Sequence, residues 1–188
     1  EPVSSDILPV NLPIDIVYED EDLIILNKAA GMPVHPSQGH HENTLANALA
    51  YRFASRGEHF VFRAVNRLDR DTTGLLLIAK HKISGAFLSA MTAKKEIRRE
   101  YLAIVSGKPE EYGTIDLPIA RKDGSTIERC IDMDHGEHAV THYRCLDYRD
   151  DLDCSLVLLR LETGRTHQIR VHMKAIGHPL LGDFLYNP

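Results

Sequence analysis

The sequence predicts an α+β domain built on a mixed, largely antiparallel sheet with flanking helices. Three observations carry that reading. Short apolar runs of strand length recur along the chain, few segments repeat their apolar residues at helical spacing, and the two kinds follow no regular strand–helix alternation. With 188 residues, 43% of them hydrophobic and 26% charged, the chain is the size of one domain with a substantial core.

Residues 1–13 contain Pro and Ser, lack periodicity and read as an arm or linker before a domain spanning residues 14–188. Ile14 to Tyr18 and Leu23 to Leu26 are strand-like runs around an acidic turn, Glu19 to Asp22, and predict a hairpin. Gly31-Met32-Pro33 and His35-Pro36-Ser37 mark a loop. A helix is expected after Asn43, its apolar face formed by Leu45, Ala48, Leu49 and Phe53.

Val61 to Val65 and Gly74 to Ala79 read as strands joined by a polar loop. Ile83, Phe87 and Met91 recur every four residues, which predicts a helix over 82–92 with these three on its apolar face. Ile97 to Val105 and Thr114 to Ile119 look extended, and Ala139 to Tyr148 alternates. The apolar run Ser155 to Leu161 suits a buried central strand. A last helix is expected over 166–176, with Ile169, Met173 and Ile176 inside and a stop at Gly177 and Pro179.

Net charge is −5, yet it is unevenly spread. Residues 1–30 hold seven acids and one base, residues 31–109 six acids and twelve bases, and residues 110–160 twelve acids and six bases. The positive middle includes Arg52, Arg56, Arg63, Arg67, Arg70, Lys80, Lys82, Lys94, Lys95, Arg98 and Arg99. Phosphate backbones bind such local clusters, so a negative total does not exclude RNA, although a solvated charged face explains the charge alone equally well. No apolar run reaches membrane-helix length and no signal-peptide pattern opens the chain, so no membrane partner and a cytoplasmic location are expected. Cys130, Cys145 and Cys154 are odd in number, lack paired ligand spacing and read as reduced thiols.

Eleven histidines raise the question of a metal. His135, His138 and His142 fall in an acidic segment that reads as an exposed turn, and His167 and His172 are five apart, a spacing that does not converge on a helix. Surface histidines account for both groups, and no metal or other cofactor is expected.

The most informative segment is Asn66-Arg67-Leu68-Asp69-Arg70-Asp71-Thr72-Thr73-Gly74 followed by Leu75-Leu76-Leu77-Ile78-Ala79. It is a charged loop between apolar strands, where functional groups are commonly held. A bare Arg-Leu-Asp would be an ordinary surface loop, and Asp69 with Asp71 would also suit a hydrolase with paired carboxylates. The whole stretch resembles the signature of the RluA-type RNA pseudouridine synthases, usually His-Arg-Leu-Asp-x-x-Thr-Ser-Gly-Leu-Leu. Three further blocks resemble the same family in the same order: Tyr18 to Leu23 leading to Asn27-Lys28-Ala29-Ala30-Gly31-Met32-Pro33-Val34-His35-Pro36; Arg99-Glu100-Tyr101-Leu102 through Gly107; and Thr163-Gly164-Arg165-Thr166-His167-Gln168 through Gly182-Asp183. Together they span roughly residues 14 to 186.

The resemblance implies the pseudouridine synthase fold and isomerisation of uridines in RNA without a cofactor, with Asp69 as the catalytic carboxylate. It implies Arg165 as the partner of Asp69, Tyr101 as the ring that stacks on the extruded uracil, and Arg67 as the side chain filling the space the base leaves. Arg70, Lys94, Lys95, Arg98 and Arg99 are then expected phosphate contacts. The expected substrate is large-subunit ribosomal RNA, with tRNA the alternative, and the expected state is a monomer. Asn66 stands where the family usually has His, which predicts altered substrate fit. Thr73 for Ser and Ala29 for Pro are milder departures. The family's small N-terminal RNA-binding domain and a further strand after Tyr186 are not in the sequence, so trimmed ends are expected. A non-catalytic RNA-binding module is the competing reading, and the intact set of Asp69, Tyr101 and Arg165 weighs against it.

Overall fold

The computed structural model describes residues 7–37 and 39–188. Residues 1–6, the start of the expected arm, lie outside them. The chain divides into two compact units, Glu1–Glu96 and Ile97–Pro188. The α+β class read from the sequence is the one found, and the named strands all pair antiparallel.

In the first unit β1 (Asp15–Glu19), β2 (Leu23–Lys28) and β3 (Gly74–Ala79) form one sheet in that order. The acidic turn between β1 and β2 is closed by Asp20, whose Oδ1 accepts from the backbone N–H groups of Asp22 and Leu23, both at 2.8 Å. Alternate residues of β2 face inward, and Ile24 and Leu26 are fully buried with Leu76 and Ile78 of β3. Helix α1 (Leu45–Ala54) covers that face with Leu45, Leu49 and Phe53. Each such side chain contributes roughly 1.5–3 kcal/mol of apolar burial. Thr44 caps α1 and Asn47 completes the capping box. The Asn47 side-chain amide also donates to Leu8 O at 2.8 Å, fastening the segment before β1 to this helix.

Two expectations change here. Val61 to Val65 is not a strand; it touches β3 through a single bridge, Ala64 to Ile78, flanked by Val65 N–H to Leu77 O and Ala79 N–H to Arg63 O. The ladder stops because the next groups of β3, Leu77 N–H and Leu75 O, are taken by the Asn66 side chain instead of by backbone. Helix α2 (Lys82–Ala93) is present, but its four-residue apolar stripe faces outward: Ile83 is 80% and Phe87 66% exposed, while Ser84 and Leu88 are the buried residues.

In the second unit β4 (Glu100–Ser106), β9 (Cys154–Leu161), β8 (Val140–Arg149) and β5 (Tyr112–Asp116) make a four-stranded sheet in that order. A separate pair joins β6 (Ile119–Arg121) to β7 (Arg129–Ile131). The run expected over 114–119 is thus split into β5 and β6, with Pro118, which has no N–H for a ladder, between them. Strand β9 is central as expected, but it alternates: Val157 and Leu159 are fully buried and Leu156 is not.

Helix α3 (Gln168–Ala175) begins two residues later than expected because His167 adopts a left-handed φ of 58°. It packs Met173 against Val105, Ile115, Val157 and Leu159, and Val171 against Ile119, Ala139 and Tyr186. His172, expected at the surface, is fully buried, with Nδ1 2.9 Å from Thr141 Oγ1 and Nε2 2.8 Å from Leu117 O. A carbonyl only accepts, so Nε2 carries the proton and Nδ1 accepts from the Thr141 hydroxyl. Among the described residues no helix is long and apolar enough to cross a membrane, and no three His, Cys, Asp or Glu side chains group as metal ligands.

Candidate active site

The pairing of β2 with β3 sets the position of the charged loop. Lys28, the last residue of β2, lies opposite Gly74, the first of β3. The loop that follows β2 and the loop that precedes β3 therefore leave the sheet at the same end. Gly74 has φ 113°, a conformation that a side chain disfavours, and it turns the loop over 66–73 into the strand.

Lys28 occupies the space between the two loops. It continues the inward alternation of Ile24 and Leu26 and is only 2% exposed. Its ammonium donates to Ala29 O at 2.8 Å, Met32 O at 2.9 Å and Arg70 O at 2.8 Å, which uses all three N–H groups. Burial pulls its pKa below the ordinary value, against the charges of Asp71 and Asp69, which favour the ammonium. Lys28 is therefore a fixed cation that ties the two loops together and faces the carboxylates. Sequence reasoning did not single it out, although a lysine at the third inward position of an apolar strand was a visible signal.

At its start the loop is held by Asn66. Its Oδ1 accepts from Leu77 N–H at 2.8 Å and its Nδ2 donates to Leu75 O at 3.3 Å, so the amide stands in for one peptide unit of a neighbouring strand. A turn closed by Thr72 N–H to Asp69 O, 3.2 Å, follows. Asp69 is half-buried within this turn, whereas Arg67 is exposed. Arg70, an expected phosphate contact, pairs with Asp71 at 2.9 Å, both side chains being more than half exposed. Such a pair is worth about 0–1 kcal/mol. His35 lies edge-on to Phe62 with ring centroids 4.7 Å apart. Burial lowers its pKa and the nearby Arg67 charge adds to the effect.

The remaining expected site residues are in the second unit. Tyr101 sits on β4 opposite Leu159, half-buried against the cluster around Val105. Arg165 N–H donates to Gln168 Oε1 at 2.9 Å, which also accepts from the Thr163 hydroxyl at 2.8 Å. The Arg165 guanidinium reaches His138 O at 3.0 Å and forms an ion pair with Glu137. Arg99 lies over the same turn, donating to Glu162 O at 3.3 Å; a Cβ at Gly164 would come within 2.6 Å of Arg99 Nη1, so glycine makes room for it. Arg98 is exposed. Lys94 and Lys95 belong to the first unit, where they end α2, Lys95 with φ 60°. The structure thus groups Lys28, His35, Asn66, Arg67, Asp69 and Arg70 in one unit, and Arg99 with Arg165 around Gly164 in the other.

Residues 22–175 match the family described as RNA pseudouridylate synthase. The chain belongs to that family.

Among its relatives in the family, "Ribosomal large subunit pseudouridine synthase D" of Zymomonas mobilis is 48% identical over 183 residues, covering 95% of this chain and 57% of that protein. "Uncharacterized RNA pseudouridine synthase YjbO" of Bacillus subtilis is 42% identical over 187 residues, covering 99% of this chain and 65% of that protein. The chain therefore spans less than two-thirds of the length of these relatives. The solved structure of "Human RNA Pseudouridylate Synthase Domain Containing 1" matches with a TM-score of 0.76 at 29% identity, covering 94% of this chain and 70% of that one. The family match includes both anchors of the loop, Lys28 and Asn66, as well as Asp69, Tyr101 and Arg165.

Proposed function

We propose that this chain isomerises uridines of large-subunit ribosomal RNA to pseudouridine, with the Asp69 carboxylate acting at the ribose. The observation that carries the reading is the half-buried Asp69 in a loop fixed from two sides, by Lys28 on Arg70 O and by Asn66 on β3. Membership of the RNA pseudouridylate synthase family and the name of the Zymomonas relative support the reaction and the ribosomal substrate. A cytoplasmic monomer that needs no cofactor is part of the same reading.

The reaction breaks the bond from uracil N1 to ribose C1′ and makes one from C5 to C1′. The proton leaving C5 goes to solvent and N1 regains one, so product and substrate are isomers. Two routes are open to Asp69: attack on C1′ as nucleophile, or removal of a ribose proton as base. Both require a positioned carboxylate, and the loop held by Lys28 and Asn66 supports that. Base extrusion costs a few kcal/mol, and Arg67, exposed beside Asp69, is suited to fill the vacated space. The roles that the resemblance gives to Tyr101 and Arg165 belong to the same proposal. Their variants test it separately.

The deciding experiment uses ribosomal RNA tritiated at uracil C5, from a strain lacking the gene. Release of tritium to water by the wild type and none by Asp69→Asn is expected. Release that persists in Asp69→Asn would overturn the role of Asp69. Absence of release from any RNA by the wild type would favour the binding module instead.

A further inference from the structure

Upstream of the loop, a groove of about 260 Å³ runs between the segment 63–65 and helix α2. Arg63 and Lys82 line it, together with Gly85, Ala86 and Ser89, and no acidic residue does. One Arg63 nitrogen, Nη1, donates to Val61 O at 3.0 Å, which orients the guanidinium. Among the described residues neither cation has an acidic partner. In contrast, their neighbours Arg52, Arg56 and Lys80 all converge on Glu19.

The wall of the groove is small by composition. A Cβ built on Gly85 would meet Ala79 Cβ and Arg63 Cδ, each at 3.5 Å, so even a methyl group there would begin to occupy the space beside Arg63. Two cations and a hydroxyl around a small, open hollow suit a tetrahedral oxyanion better than a base or an apolar group. The segment is also firmly placed: Ala79 N–H donates to Arg63 O at 2.9 Å and Val65 N–H to Leu77 O at 2.8 Å. Asp69 is six positions after Arg63, a span of at most roughly 20 Å of extended chain. One RNA strand can therefore touch both.

We propose that the Arg63–Lys82 groove binds a backbone phosphate of the RNA whose uridine is presented to Asp69. The inference rests on the RNA reading given above and adds a docking point outside the catalytic loop. The net charge of −5 makes such a local site matter, because the total charge of these 188 residues does not attract a polyanion. Each phosphate contact made by a Lys or Arg displaces condensed counterions and steepens the fall of affinity with salt by about 0.7–0.9 in log–log slope.

The test measures binding of end-labelled large-subunit ribosomal RNA transcripts by fluorescence anisotropy across a salt series. Wild type, Arg63→Gln/Lys82→Gln, and a charge-matched control, Arg121→Gln/Lys122→Gln, are compared, with thermal melts to verify folding. The groove variant is expected to melt like wild type, to lose about 1.5 from the slope, or two such contacts, and to raise KM with kcat unchanged. A slope equal to that of wild type, a loss no larger than in the control, or no RNA binding by the wild type would overturn the proposal. Inorganic phosphate that binds the wild type and not the variant, while the RNA salt slope and KM of the two proteins are the same, would assign the groove to free phosphate and also overturn the proposal. If the variant shows the smaller slope while the wild type releases no tritium, the groove stands and the catalytic reading falls.

Discussion

The ammonium of Lys28 is 2.8 Å from the carbonyl oxygen of Arg70, forty-two positions later in the chain. That bond joins the end of β2 to the residue after Asp69. Because the other two donors of Lys28 go to Ala29 O and Met32 O, the ammonium has no N–H left for a substrate, and its task is to hold backbone. The charges of Asp71 and Asp69 in turn favour the ammonium against the cost of its burial.

Replacing Lys28 by Met keeps much of the bulk and removes the charge and the three donors. Three carbonyls then lose their partner, and a loss of stability on the order of 2–4 kcal/mol is expected. If Lys28 positions Asp69, kcat falls by at least tenfold while KM changes little. A stability loss with kcat unchanged would reduce Lys28 to a scaffold residue.

Asn66 makes a prediction that separates fit from fixation. Asn66→Ala frees Leu77 N–H and Leu75 O and is expected to cost about 1–3 kcal/mol and to lower kcat. Hydrogen exchange at the Leu77 amide is the direct readout: it should quicken in the variant well beyond the amides of Ile24 and Leu26. Unchanged protection at Leu77 would show that the side chain is not what holds the strand start.

His172 gives the second unit a pH dependence. Burial lowers its pKa from the ordinary 6.5, outweighing the raising effects of the Leu117 carbonyl and Asp116. The unfolded chain therefore binds the proton first as pH falls. Stability is full above 6.5, declines as pH drops below that value, and stops declining once pH passes the lowered folded-state pKa. Urea unfolding between pH 7 and pH 5 should show this slope in the wild type and a flatter one in His172→Gln, apart from a uniform loss from the altered packing. Parallel slopes in the two proteins would refute the assignment.

The closing segment is held by a buried ion pair. Arg170 Nε and Nη2 each lie 2.7 Å from an Asp183 carboxylate oxygen, and Asp183 is almost fully enclosed. Burial alone would raise the Asp183 pKa, yet the Arg170 hydrogen bonds and charge and the N–H groups of Tyr186 and Leu185 hold it below the ordinary carboxylate value. Asp183→Asn removes the negative charge from this pair and is expected to destabilise the unit by about 3–5 kcal/mol in thermal or denaturant unfolding. A loss below about 1 kcal/mol, the size of a surface pair, would contradict that account.

Much of the architecture was legible before any coordinates. The hairpin of β1 and β2, α1, and β3 were each announced by a strong local pattern: an acidic turn between apolar runs, an apolar face at helical spacing after Asn43, five apolar residues after Gly74. Where local pattern misled, a distant group had intervened. Val61 to Val65 has strand composition, but the Asn66 amide takes the backbone partners that would have continued its ladder. Ile83 and Phe87 repeat at helical spacing, yet the sheet buries the other side of α2. His172 is polar and looked exposed, but Thr141 and Leu117, far away in sequence, satisfy both ring nitrogens.

By itself the sequence determined the fold class, the family and the charged loop that carries Asp69, because these depend on periodicity and on contiguous residues. Only the tertiary structure decided what holds that loop. Lys28 and Arg70 are remote in the chain, and a lysine ending a strand points to solvent or to a core with equal ease until the sheet register is known. The pairing of Lys28 with Gly74 brings both loops to one end of the sheet, and there the buried ammonium finds three carbonyls. The Arg63–Lys82 groove has the same origin: its cations are nineteen positions apart, and β3, by fastening the segment at Arg63 and leading into α2, makes them neighbours.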